Sequence, residues 1–178
     1  DHKFSINSFH HPSVNDRSKM HVINNYITIN DAIFEHLRET ETGGAFSILE
    51  HSLHLRITKT SFFDCEAREC GGGAFEGKSA LISYVCGSHC KANFCQFVYI
   101  NNTEVLFLTD LNSSSIYKCC PNEDRITDCG GICGFIGSQY MIDVNQSNNC
   151  MNGGPTCFYY KSNKILIRHS CFTQCFGS

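Results

Sequence analysis

Thirteen cysteines and nine histidines stand in this chain of 178 residues. Thiols can pair, ligate soft metals or act as nucleophiles, and imidazoles can ligate metals or move protons. Spacing narrows those choices. Within the local clusters the cysteines stand 5 apart (Cys65, Cys70), 4 and 5 apart (Cys86, Cys90, Cys95), adjacent (Cys119, Cys120) and 4 apart (Cys129, Cys133; Cys171, Cys175). No pair is three apart, so the C-x-x-C of a zinc ribbon or a thioredoxin-type redox site is absent. Disulfides of an oxidising compartment, or buried thiols used as small apolar side chains, remain open alternatives. The odd total leaves at least one thiol outside any set of intrachain pairs.

The other reactive groups do not assemble into a signature. His51 and His54 would lie on opposite faces of a strand, which disfavours joint metal ligation. His89 precedes Cys90, but a nucleophilic pair needs the two side chains adjacent in space, which sequence adjacency does not supply. Asp110, Asp124, Asp128 and Asp143 form no paired acids, and Ser88-His89 is followed by Cys90, so the polygalacturonase pattern is missing. No P-loop, G-x-S-x-G or H-E-x-x-H occurs. Catalytic residues, metal sites and cofactors are therefore all expected to be none. A carbohydrate-active lyase or hydrolase is the runner-up.

Composition bounds the rest. Apolar residues at 42 %, aromatics at 12 % and charged residues at only 17 % describe a folded domain rather than a disordered chain. Fourteen Lys+Arg against 17 Asp+Glu give a net charge of −3, so no nucleic-acid partner is expected. The most apolar long stretch, Leu81 to Ile100, carries His89, Lys91, Asn93 and Gln96, so no membrane span is expected. The first residue is Asp1, which leads us to expect a processed chain or a fragment. N-x-S/T sequons at Asn101, Asn112 and Asn145 would accept glycans in a secreted protein.

The elements that position these residues repeat. Gly43-Gly44-Ala45-Phe46 recurs 29 positions on as Gly72-Gly73-Ala74-Phe75. Looser versions begin at Gly130 and Gly153. After each start comes a short apolar or alternating run: 53–57, 80–85, 140–144 and 164–168, with 105–108 in the same slot. A third segment then ends in cysteine, at Cys65, Cys95, Cys119, Cys150 and Cys175. Units of 24–31 residues with three short strands are too small for helical crossovers and fit one turn of a parallel solenoid. The expected fold is all-β: a right-handed parallel β-helix of about five coils of 24–35 residues with an N-terminal leader or cap. Residues 1–20 read as a leader or loop, 21–42 as first strands with a possible capping helix over Asp31 to Thr42, and 43–178 as the coils.

Within such coils the glycine pairs would make sharp turns, Ala45 and Ala74 would enter a narrow interior, and Phe46 and Phe75 would stack. Cys65, Cys95, Cys119, Cys150 and Cys175 would form a ladder of disulfides or thiols at a rung spacing of about 4.8 Å. Cys70, Cys86, Cys90, Cys120, Cys129, Cys133, Cys157 and Cys171 are further candidates for disulfides.

The G-G-A-Φ starts at Gly43 to Phe46 and Gly72 to Phe75 resemble the repeat of chlamydial polymorphic outer membrane proteins, and of cysteine-rich families in parasitic protists. Phe62-Phe63-Asp64-Cys65 and Phe172-Thr173-Gln174-Cys175 match their F-x-x-N with cysteine in the asparagine place. The resemblance covers roughly residues 43–178 and implies a right-handed parallel β-helix exposed at a cell surface for adhesion or display. The expected function is thus a non-catalytic structural or adhesive rod, extracellular or at the cell surface. Its partners would be other proteins, copies of itself, or host or cell-surface glycans. An intracellular, cytoplasmic or cytoskeletal filament-associated protein with reduced thiols is a further alternative.

Overall fold

The computed structural model describes residues 4–6, 19–23, 25–40, 42–104, 106–119, 132–151 and 157–177. They contain only strands and turns, and no helix is found among them. Seventeen strands wind into a parallel β-solenoid of about five turns. Each turn crosses three sheets in the same order.

The first sheet stacks β3 (Tyr26–Asn30), β6 (His54–Thr58), β9 (Ser79–Ser83) and the opening residues of β12 (Leu108–Tyr117). The middle of β13 (Ile132–Ser147) and the second half of β15 (Cys157–Arg168) follow. The second sheet stacks β4 (Ile33–Glu35), β7 (Ser61–Phe63), β10 (Cys86–Ser88), the ends of β12 and β13, and β16 (Cys171–Thr173). The third stacks β5 (Phe46–Leu49), β8 (Gly73–Gly77), β11 (Val98–Asn102) and the starts of β13 and β15. A short further pair joins β14 (Cys150–Met151) to β17 (Phe176–Gly177). At the N-terminal end the pairing reverses, with β1 (Phe4–Ile6) antiparallel to β5 and β2 (Lys19–Ile23) antiparallel to β3. The segment expected as a leader thus supplies strands of the sheets.

Alternation selects these strands. Tyr26–Asn30, His54–Thr58 and Ser79–Ser83 bury every second residue, so Ile27, Leu55 and Ala80 form one interior row and Ile29, Ile57 and Ile82 the next. Thr109 and Leu111 continue the two rows, which is why this coil's strand starts at Leu108 and not in 105–107. Leu106 is accordingly 84 % exposed. The described residues of Asp31 to Thr42 form no helix. Ile33, Phe34 and Leu37 could share a helical face, but Ile33 is exposed while Phe34 is buried, its ring stacked 5.2 Å from Phe62. Parallel pairing with Ser61–Phe63 outweighs the weak local helical preference.

The corners also differ from expectation. Each first-to-second-sheet corner holds one non-glycine residue with positive φ: Asp31, Lys59, Tyr84, Ser113, Asp143 and His169. The next corner repeats this at His36, Asp64, His89, Lys118, Asn148 and Gln174. Left-handed geometry at a single residue turns the chain in one step, at a cost of about 1–2 kcal/mol for a residue with a Cβ. Among the described coil-start glycines only Gly43 has positive φ, at 71°. Gly44 and Gly73 serve close approach instead. A Cβ on Gly44 would stand 2.2 Å from the Gly71 carbonyl oxygen, and one on Gly73 2.2 Å from the Phe46 ring.

That ring sets the register. Phe46 pairs with Gly73, and Phe75 pairs with Ile48 and Ile100, so Phe46 and Phe75 do not stack on one another. The coils are offset by 27 residues here, not the 29 of the motif. A two-residue slip keeps both phenylalanines facing inward, and it gives the Phe46 ring the space that glycine leaves. Phe62 joins the aromatic cluster, 6.0 Å from Phe46 and 5.6 Å from Phe97. Phe62→Ala should therefore lower stability by about 3–5 kcal/mol. Leu81→Ala, at an outward position, should change it by less than about 0.5 kcal/mol. Denaturant midpoints of the two variants check this.

Candidate functional site

The second-sheet corner gathers the residues singled out for chemistry. Just past each left-handed corner residue the chain turns one side chain inward: Leu37, Cys65, Cys90, Cys119, Asn149 and Cys175 on successive rungs. Cys65, Cys90 and Cys119 are fully buried. The ladder thus exists in a different register from the one that spacing suggested. Cys95 stands beside Cys70 in a separate short bridge, and the rung assigned to Cys150 is filled by Asn149. Cys150 itself begins β14, one residue later. Spacing had matched the last cysteine of each unit, whereas backbone pairing matches Glu66 with Lys91 and so Cys65 with Cys90.

Each thiol has a repeated task. Cys65 donates to the carbonyls of Phe34 and Phe63 at 3.6 Å, one on the neighbouring coil and one two residues back. Cys90 reaches Phe62 at 3.9 Å and Ser88 at 3.7 Å in the same way. Cys175 reaches Gln146 at 3.5 Å and Thr173 at 3.6 Å. On the Asn149 rung the amide donates to Ile116 at 3.3 Å and accepts the Cys119 amide at 2.9 Å. Cysteine therefore does weakly what asparagine does strongly, satisfying a carbonyl that the corner leaves facing the core.

Cys65, Cys86, Cys90, Cys119, Cys171 and Cys175 are free thiols. Contact with Cys90 and burial push the Cys65 thiol far above its ordinary pKa. Cys90 is raised too, first by contact with Cys119, with burial adding to it and contact with Cys65 opposing it. Protonated, buried thiols are poor nucleophiles. Cys90 also points into the core while His89, at a left-handed position, contacts the outward Phe63 and Tyr117 rings, so the adjacent pair forms no dyad.

The remaining candidates are dispersed. Cys86 and Cys171 lie on the outward row of the second sheet and are exposed. Cys120 and Cys129 lie outside the described residues, as do the side chains of Cys133, Cys150 and Cys157. Asp124 and Asp128 lie outside them as well. Asn145 is exposed on the same outward row, while Asn101 is half-buried with its amide on Glu76 at 2.7 Å and Asn112 half-buried beside Asp110. His51 sits exposed in a turn, and His54 faces outward with its Nδ1 2.6 Å from the Ser79 hydroxyl. Burial, aided by Lys78, lowers the His54 pKa. No group of three or more potential metal ligands occurs among the described residues. An interior void lined by Phe46, Ile57, Phe62 and Phe97 holds about 10 Å³, the room of one water in apolar surroundings.

One charged cluster went unnoticed in the sequence, since its members come from separate coils. Asp64 accepts from His36 and Arg38 at 2.9 Å each, and Arg38 also meets Glu66 at 3.2 Å. Partial burial raises the Asp64 pKa, but the hydrogen bonds and charges of His36 and Arg38 outweigh it and leave the carboxyl below its ordinary value. These groups tie the first coil to the second. Comparison of the chain with family models, curated proteins and solved structures gives no significant match.

Two outcomes follow from this geometry. Iodoacetamide on the native protein should modify Cys86 and Cys171 and spare Cys65, Cys90 and Cys119 until the chain is unfolded, as read by peptide mass. A lowered folded-state pKa means that Asp64 stabilises above its unfolded value near 4 and loses that contribution as pH falls through the folded value. Asp64→Asn should thus be less stable than the parent at pH 6, by a margin that shrinks as the pH is lowered below the unfolded value, in urea titrations.

Proposed function

We propose that the chain is a non-catalytic structural rod, displayed at a cell surface or outside the cell, that makes protein contacts along its flanks. One observation carries this. Parallel rows of side chains run in register over successive coils and bring large apolar groups to the outside, among them Tyr26, Ile33, Phe63, Leu81, Tyr84 and Tyr117. Stiff sheets with apolar residues set among polar ones suit extended contact with other proteins. The resemblance of the coil-start and F-x-x-C motifs to polymorphic outer membrane-type repeats supports the surface placement. In a secretory pathway, Asn145 would be the most accessible glycan acceptor.

A second reading, an intracellular filament-associated protein, is favoured by the exposed free thiols of Cys86 and Cys171, which a reducing compartment would preserve. A membrane-impermeant biotin reagent applied to intact cells of the source organism separates the two. Labelling without permeabilisation is the expected result. Labelling only after permeabilisation would overturn the surface reading in favour of the filament one. Release of reducing ends from a panel of polysaccharides by the purified chain would overturn both in favour of a carbohydrate-active enzyme.

A further inference from the structure

A slot opens at the second corner, along the body of the rod. The last outward row of the second sheet reads Glu35, Phe63, Ser88, Tyr117 and Ser147 on successive rungs. Two rings, 41 % and 36 % exposed, therefore stand on either side of one serine. The strands that carry these three residues, β7, β10 and the end of β12, each have a paired neighbour on both sides. His89, at the left-handed position next to Ser88, backs the slot. Its ring meets Phe63 at 5.6 Å and Tyr117 at 5.8 Å, edge to face with both, and its Nδ1 lies 2.7 Å from the Ser88 hydroxyl.

The spacing of the rings selects the partner. Phe63 and Tyr117 are two rungs apart, about 9.6 Å at the spacing of paired strands. A polyproline II helix has three residues per turn and rises about 3.1 Å per residue, so its ridges recur about every 9.3 Å. One turn of such a helix sets a proline in the slot and its neighbours over the two rings. Proline-rich segments dock between aromatic walls, and the helix is preformed, so binding orders little chain. It makes no internal hydrogen bonds. Its carbonyls are therefore open to the Tyr117 hydroxyl and to the His89 ring, whose Nε2 is the donor in the tautomer that accepts from Ser88. A sugar chain fits less well. It would need ring faces open side by side, whereas His89 stands at 67° to Phe63 and at 80° to Tyr117. Charge gives the slot two unlike ends. Glu35, Asp64 and Glu66 lie at the Phe63 end, where Arg38 offsets only one of the three at neutral pH. The next two rungs carry Lys91 and Lys118, the latter with its Nζ 5.2 Å from the Tyr117 ring.

We propose that this slot binds a proline-rich segment of another protein, in polyproline II form along the rod axis, with a basic residue of that segment at the Phe63 end and an acidic one at the Tyr117 end. Phe63 and Tyr117 are the walls, Ser88 the floor and His89 the hydrogen-bonding back. This deepens the structural-rod reading by naming one flank and its partner, and it rests on that reading.

Calorimetric titration of the full chain tests the proposal. The probe is a terminally blocked peptide of about six prolines with an arginine at one end and a glutamate at the other. Saturable one-site binding with a Kd between about 1 μM and 1 mM, weakened by added salt, is expected. A peptide of the same length and charge built on glycine and serine should not bind, and prolines with arginine at both ends or glutamate at both ends should bind more weakly. Ser88→Leu fills the slot while keeping both rings, and Tyr117→Ser removes one wall. Each should weaken binding by about tenfold or more and leave the circular dichroism unchanged, whereas Leu81→Ser on the first sheet should bind as the parent does. A parent chain that shows no saturable binding of the proline peptide would overturn the proposal. So would binding that survives both Ser88→Leu and Tyr117→Ser. Binding of a neutral glucose or N-acetylglucosamine oligomer in place of the peptide, lost in the same two variants, would overturn it in favour of a glycan. Each of these results would leave surface labelling on intact cells unaffected, so the slot's partner can fail while the rod reading stands.

Discussion

The amide of Asp64 donates to Ser88 on the coil below at 2.9 Å, and those of His36, His89, Lys118 and Asn148 do the same at 3.0 to 3.1 Å. Backbone pairing therefore continues through the corners as well as along the strands. A chain that turns three times per coil would otherwise leave polar groups unpaired at each bend, at a cost of about 1–3 kcal/mol apiece if buried. One left-handed residue at each of the two corners that flank the second sheet keeps those groups pointed along the stack. Because every coil must present the same hydrogen-bonding edge to the next, insertions are confined to the connections, and interior residues fall into rows.

Those rows change character along the rod. In the first three coils they hold Ile27, Leu55, Ile57, Phe62, Phe75 and Ile82, an apolar filling closed by aromatic contacts. Further along, Asn102, Thr109, Gln139, Gln146 and Asn149 enter the interior. Asn102 bonds Thr109 at 3.0 Å and the Ile136 carbonyl at 3.3 Å, and Gln139 bonds that same carbonyl at 2.7 Å. Ile136 and Gly137 have positive φ, and the interior amides occupy the carbonyl that this turn leaves inside. The cysteine ladder belongs to the same scheme: small side chains that fit the corner and cover a carbonyl. Its thiols act in packing and hydrogen bonding, and contact with a neighbouring thiol together with burial keeps Cys65 and Cys90 protonated.

The solenoid was legible because strand alternation and a unit of roughly 25–30 residues leave few other folds. Register was not legible, for a reason visible at Phe46. Side chains alternate with period two, so slips of two residues preserve every inward position, and the motif repeat at 29 could not be told from the true offset of 27 without the volume of the ring over Gly73. The match of Cys65 with Cys95 fails for another reason, since a unit holding Cys86, Cys90 and Cys95 offers three partners and only the backbone pairing of Glu66 with Lys91 selects Cys90. The segment after Asn30 misled because three apolar residues fit a helical face, and only the distant Phe62 decides that Phe34 belongs to a strand. The His36–Asp64–Arg38 cluster carried no local signal, its members being brought together by coil stacking alone.

Coil stacking is the central claim, and two natural thiols measure it. Cys86, Ser115, Asn145 and Cys171 occupy one outward row on four successive rungs. At about 4.8 Å per rung, Cys86 and Cys171 are separated by about 14 Å between Cα atoms although they stand 85 positions apart in the chain. Pulsed electron spin resonance on a protein labelled at these two thiols alone should give a single narrow distance of about 15–25 Å once the label arms are included. A broad distribution, or one centred beyond about 35 Å, would contradict the stacked rungs and everything built on them.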